Sequence, residues 1–175
     1  MDSILSLEEI IERMLTIFRI KWEPEKTKDT ASAKAPLLVD EHFMFGNPSL
    51  IPQSDAVVIF PEGQEEIDKE GGITRAGPCC IIEDGLIHIR WYHKEHEQAR
   101  GHRVINQMGE VIKRMLLRNK QLIFLGLGLI HGLTIESITY GEQVRDAYEG
   151  TRVFFPKGDM LVRVEYAEGL DEDLA

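Results

Sequence analysis

The sequence predicts an α+β domain, a mainly antiparallel sheet backed by one long helix and by a second helix near the N-terminus. Three observations carry this. Between Glu83 and Asn119 the apolar period switches from strand-like to helical. Ile87, Ile89 and Trp91 alternate with His88, Arg90 and Tyr92, as on a half-buried strand. From Val104 onward Val104, Met108, Val111 and Met115, widened by Ile105, Ile112 and Leu116, form a helical stripe. A second stripe, Leu7, Ile10, Ile11, Met14 and Phe18, comes earlier in the chain. Last, several short alternating runs follow the long helix without another helix between them. A sheet with one apolar face and helices with one apolar stripe each bury the other.

Taken in order, Ser6 with Glu9 is a capping-box pair that starts the first helix. The helix is expected to end near Ile20, before Pro24. Residues 21–53 carry Pro24, Pro36, Pro48 and Pro52 and a polar run from Lys26 to Lys34. They read as a long mobile loop whose end is anchored by His42, Phe43 and Phe45. Ala56–Phe60, AVVIF, is a buried strand stopped by Pro61. Glu62–Gly77 is a polar, glycine-rich loop. Pro78–Ile82 begins a strand, and Asp84-Gly85 reads as a hairpin turn leading to Leu86–Tyr92.

After the long helix, Leu122–Gly132 fits either a short strand or an irregular segment. Leu133–Tyr140 alternates, with Leu133, Ile135, Ser137 and Thr139 on one face and Thr134, Glu136, Ile138 and Tyr140 on the other, and Gly141 ends it. Thr151–Phe155 and Met160–Tyr166 form a last hairpin around Pro156-Lys157-Gly158-Asp159. Residues 1–166 thus read as a single domain, and 167–175, AEGLDEDLA, as an acidic flexible tail.

With 175 residues the chain is long enough to bury a real core. A formal net charge of −10 disfavours tight binding to a nucleic-acid backbone, which requires clustered cations. It still allows DNA to slide past an acidic wall. Cys79 and Cys80 are adjacent, so they suit neither a structural disulfide nor a metal knuckle and read as small buried residues. No secretory leader is read at the start, where Asp2, Glu8, Glu9 and Glu12 stand. The most apolar stretch, Leu122–Leu133, is too short to cross a bilayer.

The search for chemistry returns little. His93, His96 and His102, with Glu95 and Glu97 between them, suggest a metal cluster. At a strand-to-helix junction, however, this spacing does not fix imidazoles on one face, and a solvated polar connection is the favoured reading. There is no nucleophile elbow and no phosphate loop, and Gly126-Leu127-Gly128 lacks the rest of a dinucleotide fingerprint. Neither catalytic residues nor a cofactor or metal site are assigned. Lys94, Arg100, Arg103, Lys113, Arg114, Arg118 and Lys120 gather along the long helix. A subunit with a basic face and acidic loops can associate head-to-tail with its own copies, and such a contact closes into a ring when the rotation allows.

The order of elements and several phrases resemble the tail terminator (tail completion) proteins of long-tailed bacteriophages. The phrases are AVVIFP (Ala56–Pro61), IHIRWYHK (Ile87–Lys94), MGEVIKRMLLRN (Met108–Asn119), ITYG (Ile138–Gly141) and MLVRVEY (Met160–Tyr166). They span roughly two-thirds of the chain, together with the first helix. The resemblance implies a non-enzymatic virion protein that assembles in the host cytoplasm as a hexameric ring. That ring caps the tail tube, stops its elongation and offers a surface to the head-side connector or stopper. DNA would cross the lumen without specific binding. The long 21–53 segment departs from the pattern and suggests a grip on a neighbour. Under this resemblance the loop beginning at Glu62 would face the lumen or the tube, with Glu62, Glu65, Glu66, Asp68 and Glu70 keeping DNA from adhering. Three other classes are kept open. Another neck component should look more all-β or all-helical, a metal-dependent enzyme would use the histidines, and an adaptor would bind a partner through the first helix.

Overall fold

A computed structural model describes residues 7–30, 32–46, 54–62, 74–77, 80–123, 131–146 and 152–169. The elements are α1 (Leu7–Lys26), two 3-10 turns (Ser32–Lys34 and Asp40–His42), β1 (Phe43–Phe45), β2 (Ala56–Pro61), β3 (Thr74–Gly77) and β4 (Cys80–Tyr92). They continue with α2 (Gln98–Arg118), the short α3 (Lys120–Ile123), β5 (His131–Asp146) and β6 (Arg152–Gly169). One sheet has the order β1-β2-β4-β6-β5, with β3 paired to the end of β4. Among the described residues only the β1/β2 pair is parallel. The fold is α+β.

Both main helices pack on one face of the sheet. The shared core takes Ile10, Met14 and Phe18 from α1, Met108, Val111 and Met115 from α2, and Ile87, Ile89 and Trp91 from β4. Met160, Val162 and Val164 of β6 fill the same layer. The period-2 and period-3.6 patterns meet here as their apolar faces require.

The helices and strands run further than the local signals suggest. α1 continues past Ile20 and through Pro24 to Lys26. Tertiary contacts hold that last turn. Trp22 is buried edge-on to Phe43, with ring centroids 5.6 Å apart, and its Nε1 donates to the Pro36 carbonyl at 3.0 Å. Arg19 donates to the Phe43 carbonyl. The same contacts order much of the expected 21–53 loop, which supplies Ala35, Leu38 and Phe43 to the core and an edge strand, β1. Thr74–Gly77, expected as the end of a loop, is strand β3.

Asp84-Gly85 is not a turn. It lies inside β4, with Asp84 opposite Glu165 and Gly85 opposite Val164. The glycine makes room for a helix, since a Cβ there would come within 2.5 Å of the Leu7 side chain. Pro156–Asp159 is likewise not a hairpin but lies within β6, with Lys157, Gly158 and Asp159 paired on both sides. Gly158 faces Trp91 so closely that a Cβ would lie 2.1 Å from the indole Cζ2. Gly141 does not end β5, which continues to Asp146. α2 begins at Gln98, ahead of the first stripe residue.

The face assignment along β5 is also corrected. The register shifts between Ile135 and Ser137. A bulge places one extra residue there and reverses the parity after it. Leu133, Ile135 and Ile138 therefore all pack on the helix-side core, and Tyr140 reaches Trp91 edge-on at 6.1 Å. Ser6, Cys79 and residues 170–175 lie outside the described residues, as does 124–130 of the ambiguous segment; Cys80 opens β4.

Candidate functional site

The face of the sheet opposite the helices carries the chemistry. β2 turns Ala56, Val58 and Phe60 outward, and β4 turns out His88, Arg90 and Tyr92. Cross-strand pairing puts Phe60 opposite His88 and Arg90 opposite Asp159, and directly opposed side chains interact. His88 stacks on the Phe60 ring at 5.1 Å, and the Arg90 guanidinium lies over the same ring at 5.1 Å. Asp159 accepts from both neighbours, with Oδ1 2.7 Å from His88 Nδ1 and Oδ2 2.6 Å from Arg90 Nε. Glu62 Oε1 is 3.5 Å from the other imidazole nitrogen, Nε2.

This arrangement shifts the ionisations in opposite directions. The hydrogen bond to Asp159 raises the His88 pKa against the effect of burial, and the Asp159 and Glu62 charges add to it. Burial pushes Asp159 upward, but the hydrogen bonds from His88 and Arg90 outweigh it and hold the carboxyl below its ordinary range. A carboxylate at each ring nitrogen favours the protonated imidazole over the neutral one. Beside the cluster lies an open recess of about 360 Å³, lined by Ser137, Thr139, Tyr140 and Lys157 as well as by His88 and Asp159.

The three histidines singled out in the sequence separate. His93 Nδ1 is 2.9 Å from Asp55 Oδ1, while its Nε2 is 3.5 Å from Glu95 Oε2 without hydrogen-bond geometry. Burial works against the charged form of His93, and the Asp55 and Glu95 carboxylates overcome it and raise its pKa. His102 Nε2 is 2.7 Å from Glu142 Oε2, tying the start of α2 to β5. His96 is exposed. Among the described residues no group of three or more His, Cys, Asp or Glu side chains is arranged to hold a metal ion. Asp55 also accepts from the Lys94 amide, so the pair closes the strand-to-helix connection.

Of the acidic residues assigned to the lumen-facing loop, Glu62 is half-buried against His88. Glu65, Glu66, Asp68 and Glu70 lie outside the described residues. Asp159 is hidden from sequence reasoning because Pro156-Lys157-Gly158-Asp159 has the composition of a turn. The outward pair His88 and Arg90 was legible from the alternation of β4, but its partner was not.

The basic residues of α2 divide. Arg118 pairs with buried Glu25 at 3.0 Å, and Arg114 with Asp29 at 3.3 Å, clamping the end of α1. Burial raises the Glu25 pKa, but Lys28 and Arg118 outweigh it and lower the pKa overall. Arg100 and Arg103, with Lys34 from the first 3-10 turn, line a separate recess of about 440 Å³ together with Val104 and Gln107.

No family model and no curated protein matches the chain. One similar solved structure is a chain described as "Virion of native gene transfer agent (GTA) particle". It is 10% identical, the match covers 93% of this chain and 95% of that one, and the TM-score is 0.30. A likeness at that level carries no argument about this chain. Among the described residues no helix is long and apolar enough to cross a membrane.

Proposed function

We propose that this chain is a structural virion protein, a tail terminator whose copies form a ring, hexameric in the family it resembles, that caps the tail tube and joins the tail to the head-side connector. The observation that carries the reading is the architecture. A mainly antiparallel sheet backed on one face by two helices, with β4 leading into α2, is in keeping with the helix-backed α+β fold that the resemblance to terminator proteins implies. Stopper and adaptor components of the neck, the alternative, are expected to be more nearly all-β or all-helical. The outer-face cluster supports a static role, because its carboxylates and cations neutralise one another.

Glu62 leaves β2 on that outer face, facing His88. In this reading the open face of the sheet and the acidic loop that follows Glu62 line the lumen, and the helices face outward. Replacing Glu62, Glu65, Glu66, Asp68 and Glu70 with their amides then raises DNA retention by the ring; retention equal to wild type refutes the lumen assignment. The reading as a whole is tested by electron microscopy of the purified protein added to tail tubes of defined length. A ring at one end with elongation halted is expected. Bare ends refute the terminator role, and attachment at the head connector alone favours a stopper or adaptor.

A further inference from the structure

The recess lined by Lys34, Arg100, Arg103, Val104 and Gln107 is a basic surface on a chain of net charge −10. Arg100 faces Glu95 at 3.3 Å. Among the described residues neither Lys34 nor Arg103 faces a carboxylate. Val104 adds a half-buried apolar floor. The recess therefore suits a short segment carrying several carboxylates and an aliphatic side chain. The chain contains one in Leu170-Asp171-Glu172-Asp173-Leu174.

That segment cannot reach the recess of its own molecule. β6 passes Lys157, opposite Tyr92, and ends at Gly169, opposite Cys80. At about 3.3 Å per residue these points are ~40 Å apart. The recess sits at the Tyr92 end, because α2 starts there and a Cβ on Gly101 would lie 3.0 Å from Pro156. Asp173, four residues beyond Gly169, extends at most ~14 Å further. We propose that the recess docks the acidic stretch Asp171–Asp173 of a second copy, making a head-to-tail contact. A contact between two different patches propagates from copy to copy instead of stopping at a dimer, and closes into a ring when the rotation allows. The contact takes its biological setting from the ring reading, but its physical basis is the charge and reach described here.

The test uses two full-length variants. One reverses the recess with Lys34→Glu and Arg103→Glu; the other reverses the segment with Asp171→Lys, Glu172→Lys and Asp173→Lys. Sedimentation velocity at low salt reads self-association. Wild type is expected to associate in a salt-sensitive way, and each variant alone roughly tenfold or more weakly. An equimolar mixture should recover association, since each recess then meets an oppositely charged segment. Carbodiimide coupling of isotopically distinct wild-type copies should join Lys34 to residue 171, 172 or 173 across molecules. Variants that associate like wild type, a mixture no better than its components, or a wild type without the intermolecular cross-link would each overturn the proposal. Tube capping separates the two ideas. Capping by both variants leaves the terminator reading intact and removes this contact, whereas recovery by the mixture with bare tube ends does the reverse.

Discussion

Gly158→Ala should destabilise the protein by about 2–4 kcal/mol through one contact. Gly158 lies inside β6, opposite both Trp91 and Tyr140. A Cβ there would stand 2.1, 2.2 and 2.7 Å from the indole Cζ2, Cε2 and Nε1. The indole has nowhere to go. It is fully buried, its Nε1 donates to the Ile105 carbonyl at 2.9 Å, and a Cβ on Gly109 would already lie 2.9 Å from the same indole atom, Cζ2. Overpacking of a tight core costs about 1–3 kcal/mol, and loss of the indole hydrogen bond adds about 1 kcal/mol. At about 2–4 °C per kcal/mol for a domain of this size, the melting temperature falls by roughly 5–15 °C. Thermal and urea unfolding followed by circular dichroism and tryptophan fluorescence measure it. A double-mutant cycle with Trp91→Phe separates packing from backbone strain. If contact with the indole is the cause, the two substitutions couple by about 1 kcal/mol or more. Additive effects, or a Gly158→Ala protein within about 0.5 kcal/mol of wild type, refute the reasoning.

The His88–Asp159 pair gives a pH dependence with a definite sign. His88 has a raised pKa, so its contribution is fully present below about pH 6.5 and is lost as pH rises through its folded value. Asp159 has a lowered pKa, so its contribution is present above about pH 4 and is lost as pH falls through its folded value. The destabilisation caused by His88→Gln should therefore be larger at pH 5.5 than at pH 8.5. The difference is about 1 kcal/mol after allowance for solvent screening, and denaturant melts at the two pH values check it. Trp22→Phe removes the bond to the Pro36 carbonyl while keeping most of the apolar contact with Phe43. Losing about 1 kcal/mol of local stability should speed proteolysis between Thr27 and Leu38 about fivefold, and an unchanged cleavage rate would show that the segment is held elsewhere.

What the sequence determined by itself is the polarity of each surface. The stripe of α2, the alternation of β4 and the apolar run of β2 follow from side-chain period alone, and they fix which faces meet and hence the α+β class. The outward position of His88 and Arg90 was readable for the same reason. What only the tertiary structure decided is where the chain turns and who stands opposite whom. Gly85 and Gly158 have the local signature of turns, yet each sits mid-strand because Leu7 or Trp91 occupies the space a side chain would take. Pro24 has the signature of a helix end, yet α1 runs through it because Trp22 and Glu25 are held by Pro36 and by Lys28 and Arg118. The bulge before Ser137 changes the parity of β5 without any signal in the residues themselves. Likewise Asp159 became the partner of His88 and Arg90, and Lys34 the neighbour of Arg100 and Arg103, only through strand register and packing across long sequence separations. Period is a local property of a chain, whereas close approach and pairing depend on residues that sequence distance keeps apart.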